Sequence, residues 1–112
     1  MNIRSAKNKG RRLVVETKEA LLHYAPELQS GDIMVPTGSQ GGEDLWLSPA
    51  AQKVYPISIE CKNTEKASPW AWYEQAKKNQ LDRKPVVVFS RNRSEAMALL
   101  SLEHFLELIR KP

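Results

Sequence analysis

The sequence has very few of the side chains that build disulfides and zinc sites. Its one cysteine, Cys61, excludes an intrachain disulfide and is typical of a reducing compartment. The two histidines, His23 and His104, are too few to complete a zinc site of the Cys/His type. A catalytic metal would therefore need oxygen ligands, which favour Mg²⁺ or Mn²⁺.

Long apolar stretches are also missing. No run approaches the roughly 20 apolar residues that span a bilayer, and the polar N-terminus lacks the apolar core of a signal peptide. We therefore expect no membrane role and a cytoplasmic location. With 112 residues, of which 41% are hydrophobic and 27% charged, the chain is expected to form a single domain, residues 1–112, with its own core.

Positive charge exceeds negative charge by a formal +4 and is concentrated at the N-terminus. Residues 1–12 contain no acid and five bases, which are Arg4, Lys7, Lys9, Arg11 and Arg12. Such a basic arm is suited to contacting phosphates. A solvated tail has the same composition, so both interpretations stand at this point.

Apolar periodicity and turn residues predict elements in the order α-β-β-β-α-β-α. The first helix is predicted from after Gly10 to about Tyr24, with a buried stripe of Leu13, Val14, Thr17, Ala20, Leu21 and Tyr24. An extended segment follows at 32–36. Residues 45–47 and 54–61 are then predicted to pair as an antiparallel hairpin.

In the second half, Ser68 as N-cap and Pro69 in the first turn predict a helix to about Leu81. The apolar run 85–90 predicts a strand covered on both faces. A last helix, about 102–110, is expected to present four apolar side chains inward: Leu102, Phe105, Leu106 and Ile109. A strand that follows a helix through a right-handed crossover gives an α/β fold with a mixed central sheet flanked by helices.

Two acids in the middle of the chain are candidates for a site. Asp44 directly precedes the apolar Leu45, and the triplet Glu60-Cys61-Lys62 ends an apolar strand. Strand alternation puts Glu60 and Lys62 on one face and Cys61 on the other, with the core. Converging carboxylates beside a lysine suit Mg²⁺-dependent cleavage of a phosphodiester. A turn aspartate and a surface ion pair would also explain these residues.

Glu16 is a further acid, on the predicted first helix beside its apolar stripe. At the rim of a carboxylate cluster it could hold a water molecule or a second ion. A solvated helical glutamate, paired with Arg12 one turn earlier, is the alternative.

In order and spacing, Glu16, Asp44 and Glu60-x-Lys62 resemble the PD-(D/E)xK nuclease superfamily. The resemblance implies a restriction-endonuclease-like α-β-β-β-α-β core. Over about residues 7–90 the chain is similar to Holliday-junction resolvases of the archaeal and phage type. Those proteins share a basic, glycine-containing N-terminus and a loop of small residues before the Asp, here 37–42.

The resemblance also implies roles for individual residues. Asp44, Glu60, Glu16 and the backbone carbonyl of Cys61 would bind Mg²⁺, for which Mn²⁺ could substitute, and Lys62 would orient the attacking water. The products would carry 5′-phosphate and 3′-hydroxyl ends. The expected DNA contacts are Lys7, Lys9, Arg11, Arg12, Ser39, Gln75 and Lys77.

The chain departs from the family pattern at Glu43, which stands where a proline usually precedes the Asp. Glu43 and Asp32 are therefore alternatives to Asp44 as the ligand, although the spacing favours Asp44.

The second helix is rich in aromatic residues, namely Trp70, Trp72 and Tyr73. They could stack on unpaired bases at a branch point, but packing in the core or in a dimer is the favoured interpretation. Helical spacing puts Trp70, Tyr73 and Lys77 on one side and Trp72 and Ala76 on another, so that one aromatic side is expected to be buried and the other exposed.

The sequence thus predicts a Mg²⁺-dependent DNA endonuclease, and the four-way junction is the first choice of substrate. A phage or prophage source fits the resemblance. Two symmetric incisions require two sites, so a homodimer is expected. A nicking, restriction or repair nuclease of the same fold is one alternative. A non-catalytic DNA-binding module is another.

Overall fold

The computed structural model describes residues 3–36, 44–80 and 82–110, with side chains from Gly10 onward. The elements run in the order α1 (Ile3–His23), a 3₁₀ turn (Ser30–Asp32), β1 (Ile33–Met34), β2 (Trp46–Leu47), α2 (Pro49–Val54), β3 (Ile57–Asn63), α3 (Pro69–Asn79), β4 (Lys84–Ser90), β5 (Met97–Leu99) and α4 (Leu102–Arg110). Within the same ranges, no helix combines the length and the apolar character that crossing a membrane requires.

The described strands form a two-stranded and a three-stranded sheet. β1 and β2 pair antiparallel, with Ile33 opposite Leu47. In the larger sheet β3 and β4 are parallel, with Glu60 opposite Val87, and β5 is antiparallel to β4. The predicted α/β fold with a mixed sheet is confirmed, and α3 is the helix that connects the two parallel strands.

Two apolar clusters cover opposite faces of β3 and β4. One cluster is centred on the buried residues Ile33, Leu45, Leu47, Ala51 and Ile59, and α1 packs against it through Val14, Leu21 and Leu22. The other consists of Trp72, Ala76 and Val87, with Phe89 beside them. Because successive strand residues point to opposite faces, Ile59 and Cys61 face α1, while Glu60 and Lys62 face α3.

The first helix begins earlier than predicted and ends within one residue of its predicted end. It begins at Ile3, so the basic segment 3–12 is helical and Gly10 lies inside a helix. Leu13 and Thr17 are buried as predicted, but Ala20 is exposed and Tyr24 is 81% exposed. The helix ends at His23, so Tyr24 lies beyond the part that packs on the sheet.

The predicted hairpin is wrong. β2 pairs with β1, not with residues 54–61, and the segment between the two predicted strands is helix α2. Ser48 caps this helix, its Oγ accepting a hydrogen bond from the Ala51 N–H at 3.1 Å, and Pro49 occupies the first turn. A proline at that position lacks only an N–H that the helix would leave unbonded.

The C-terminal part also differs from expectation. Strand β5 was not predicted, and α4 has the predicted bounds but the opposite exposure. Its four supposed core side chains are all exposed, from 46% at Leu106 to 71% at Leu102, whereas His104 is buried. The helix therefore turns its apolar side away from the rest of the chain.

Candidate active site

Asp44 is fixed against the middle of β3 by two hydrogen bonds. Its backbone N–H donates to the Ile59 carbonyl at 3.0 Å, and its Oδ2 accepts from the Cys61 N–H at 2.7 Å. The carboxylate thus occupies a place where a neighbouring strand would present a carbonyl. Although the predicted hairpin does not form, Asp44 lies beside the Glu60-Cys61-Lys62 triplet.

Glu60 is a buried acid, with only 2% of its surface exposed. Its Oε1 accepts a hydrogen bond from Asn79 Nδ2 at 2.6 Å. The pKa of Glu60 is raised from an ordinary 4.5 to about 7, chiefly by burial and also by the nearby Asp44 carboxyl, while Asn79 and Lys62 act to lower it. Two carboxylates that share a poorly solvated space favour a proton or a cation between them.

Lys62 lies two residues further along the strand on the same face. Its Nζ donates to Gln75 Oε1 at 2.7 Å. Helix α3 therefore presents Gln75 to Lys62 and Asn79 to Glu60. Four helical residues rise about 6.0 Å and two strand residues about 6.6 Å, so the two spacings match.

Gln75 was expected near the site and Asn79 was missed. The signal for Asn79 was present, because a residue four positions after Gln75 lies on the same side of the helix. As expected, one aromatic side of α3 is buried and another is exposed. Trp72 is buried and Trp70 is exposed.

Cys61 belongs to the core side of β3, as predicted. Its Sγ lies 3.8 Å from Thr17 Oγ1 on α1. Burial raises the pKa of the Cys61 thiol to about 12, with smaller contributions from Asp44 and Glu60. A thiol with so high a pKa is a poor nucleophile at neutral pH.

Glu16 is not brought to the acid pair. It is exposed and lines a separate cavity between α1 and residues 96–98. The physical reason is that α1 packs on the face of the sheet opposite Glu60. Within the part of the chain that the structure describes, no three side chains of Asp, Glu, His or Cys converge as a group that could hold a metal ion.

Of the alternatives to Asp44, Asp32 has a local structural role. Its Oδ2 accepts from the Gln29 N–H at 2.8 Å and its Oδ1 from the Ser48 hydroxyl at 2.7 Å. These two hydrogen bonds lower the pKa of Asp32. Glu43 lies outside the described residues.

The expected DNA contacts are dispersed. Arg11 and Arg12 are exposed on α1, and Lys77 is exposed, 3.9 Å from Glu74 of its own helix. Ser39 and the side chains of Lys7 and Lys9 lie outside the described part of the chain. Gln75 alone of the described set contacts a residue of the candidate site.

The acid pair, Lys62 and the two amides of α3 form one cluster between β3 and α3, which extends from the buried Glu60 to the exposed Gln75. Comparison of the chain with models of protein families, with curated proteins and with solved structures found no match.

Proposed function

We propose that the chain is a Mg²⁺-dependent DNA endonuclease with a restriction-endonuclease-like fold, and that its preferred substrate is a four-way junction. The observation that carries this proposal is the convergence of Asp44 with Glu60 and Lys62. Asp44 and Glu60 are separated by fifteen residues and belong to different segments, yet Asp44 bonds directly to the backbone of the triplet.

The donors present suit Mg²⁺. Glu60 and Asp44 supply carboxylate oxygens, which hard divalent cations prefer, and Mg²⁺ commonly binds proteins through one or two carboxylates and completes its shell with water and substrate phosphate. The raised pKa of Glu60 follows from burial and from the second negative charge, which a cation would offset. The carbonyl of Cys61 is the further ligand that the resemblance implies, and Glu16 is not part of this proposal.

When bound, Mg²⁺ would polarise the scissile phosphate and favour deprotonation of the attacking water. The chain supplies the surroundings. Gln75 holds the Lys62 ammonium at the acid pair, where its charge stabilises the negative charge that develops on the phosphate. Asn79 holds one oxygen of Glu60, and the carboxyls of Glu60 and Asp44 lie within hydrogen-bonding reach of each other.

A homodimer is part of the proposal because two symmetric incisions require two sites related by a two-fold axis. The exposed apolar side of α4 supports it. Leu102, Phe105, Leu106 and Ile109 would be buried if two copies met along this helix.

The test is incubation of the protein with Mg²⁺ and three DNAs of matched sequence: a four-way junction, a linear duplex and a single strand. We expect incision of the junction at least tenfold faster than of the others. Lys62→Ala should abolish cleavage and retain junction binding, whereas Lys53→Ala, which removes the same charge from the exposed end of α2, should leave cleavage normal.

Each part of the proposal can fail separately. Equal cutting of the three DNAs would refute the junction preference and retain the nuclease. No cutting with Mg²⁺ or Mn²⁺ would refute the nuclease and leave a DNA-binding module. Normal cutting by Lys62→Ala would show that the site is elsewhere.

A further inference from the structure

A second feature lies next to the acid pair. A cavity of about 420 Å³ opens where the parallel strands β3 and β4 end, between the loop 64–67, the helix α3 and the loop 91–95. Its floor is aromatic. It is formed by Trp72 and Phe89, whose ring centres are 5.4 Å apart with planes tilted by 45°. Cavities of this size, apolar below and polar at the rim, are typical of small-ligand sites.

The strand register places this cavity beside the candidate catalytic lysine. Phe89 is the cross-strand partner of Lys62. Paired residues of neighbouring parallel strands point to the same face and are about 4.8 Å apart. Thr64, which lines the cavity, follows Lys62 by two residues, a span of at most about 7 Å. One ligand can therefore contact both Lys62 and the aromatic floor of the cavity.

The rim carries hydrogen-bonding groups of both kinds. Arg91 lines the cavity, and its Nε bonds the Ser94 hydroxyl at 3.2 Å. A guanidinium has five N–H donors in a planar fork, which suits a phosphate or the edge of a base. Glu65 lies on the opposite wall.

The walls are joined to each other without a ligand. The Thr64 N–H donates to the Ser90 carbonyl at 3.1 Å, and the Asn92 N–H donates to Glu65 Oε1 at 3.1 Å. The two loops that frame the cavity are thus held together by hydrogen bonds, and little ordering is needed when a ligand enters.

We propose that this cavity binds one nucleobase that is unstacked from the DNA strand beside the phosphate that is cut. The base packs on Phe89 and the edge of Trp72, and Arg91 bonds the edge of the base or its phosphate. The proposal rests on the proposed nuclease function and adds a requirement to it. The DNA must offer an unpaired or easily extruded base at the cut, because unstacking a paired base is costly.

The test uses DNA with a single 2-aminopurine, placed either at an unpaired position or at the same position of a full duplex. Binding is measured with EDTA present, by anisotropy for affinity and by 2-aminopurine fluorescence for stacking. We expect the unpaired probe to bind at least about tenfold more tightly than the duplex and to be quenched, since a stacked base contributes about 5- to 160-fold in affinity. A duplex that binds equally, or an unpaired probe that binds without quenching, would overturn the proposal.

Two pairs of variants localise the effect. Ala67→Phe adds a ring to the cavity wall, and Ala50→Phe adds the same ring to an exposed position of α2 outside the cavity. We expect about tenfold weaker binding and loss of quenching for Ala67→Phe alone. Normal quenching in Ala67→Phe would contradict the assignment.

The second pair removes one positive charge from the same loop. Arg91 lines the cavity and Arg93 does not. Arg91→Gln should weaken binding of the unpaired probe more than Arg93→Gln does. Equal losses of affinity would indicate attraction to the DNA backbone alone and would refute a nucleobase site. Since no cleavage is needed, absent nuclease activity with intact quenching would refute the function and not the cavity.

Discussion

Replacing Glu60 by Gln tests the acid pair through stability as well as activity. The side chain keeps its shape, and the amide oxygen can still accept the Asn79 hydrogen bond that the carboxylate accepts now. The charge is lost. Because the pKa of Glu60 rises from 4.5 to about 7 on folding, the folded chain binds this proton more tightly than the unfolded chain does.

The sign of the effect follows from that difference. Below about pH 4.5 Glu60 is protonated in both states, and no stability is lost. As the pH rises towards 7 the unfolded chain ionises first, so the free energy of unfolding falls, and above about pH 7 the full loss remains. At about 1.4 kcal/mol for each pKa unit, the loss amounts to roughly 3 kcal/mol as an upper bound.

We therefore expect Glu60→Gln to equal the wild type in stability at pH 4.5 and to exceed it by up to about 3 kcal/mol at pH 8, measured by urea unfolding in EDTA. The variant should not cleave DNA, and 10 mM Mg²⁺ should stabilise the wild type only. Glu19→Gln is the control, since Glu19 is exposed on α1 and its replacement should not change the pH dependence.

A gain that is the same at both pH values would refute the argument, because it would come from something other than ionisation. If Glu60→Gln gains no stability over the wild type at pH 8, or if Glu19→Gln gains as much, the charge of Glu60 does not destabilise the folded chain. Mg²⁺ stabilisation of Glu60→Gln equal to that of the wild type would place the ion elsewhere.

Four further predictions test neighbouring features. Asn79→Ala should move the acidic limb of the pH–rate profile upward, because the Asn79 bond lowers the pKa of Glu60; an unmoved profile would exclude a positioning role. Gly10→Ala should stabilise the chain by about 1 kcal/mol in thermal unfolding, since Gly10 is helical and a Cβ there has no neighbour within 4 Å; destabilisation would mean that its surface is covered. Cys61 should react with a thiol reagent more than 100-fold more slowly in the native than in the urea-unfolded chain, because burial raises its pKa to about 12; comparable rates would contradict that burial. Leu106→Arg should shift a dimer to monomer in light scattering with little change in unfolding, since the side chain is exposed; an unaltered mass would remove α4 from the interface.

The parts of the fold that the sequence predicted are those with strong local patterns. β4 is a continuous apolar run, and α3 has Ser68 and Pro69 at its start. Alternation in β3 correctly separated Glu60 and Lys62 from Cys61, because the side-chain period of a strand is a local property. Candidate residues within these elements were therefore placed on the correct faces.

The errors arose where the outcome depends on distant contacts. Ser48-Pro49 has the same helix-start signal as Ser68-Pro69, but only six helical residues follow, too few for a visible apolar stripe. The pairing of β2 with β1 is likewise non-local. In α4 the periodicity shows that one side is apolar, and it does not show whether this chain covers that side.

Glu16 illustrates the same limit at the level of a single side chain. Its position in the sequence fits the family pattern, but the direction of a helical residue depends on which side of α1 meets the sheet. Leu13 and Thr17 form that side, and Glu16 points elsewhere.

The matched spacing of α3 and β3 has a consequence for how this protein can vary. Gln75 and Asn79 contact Lys62 and Glu60 simultaneously, so the number of residues between the two amides matters as much as their identity. A one-residue deletion between them would turn the rest of the helix by about 100° and separate Asn79 from its glutamate. Length changes in this protein should therefore fall outside α3, which keeps a constant length between its two amides.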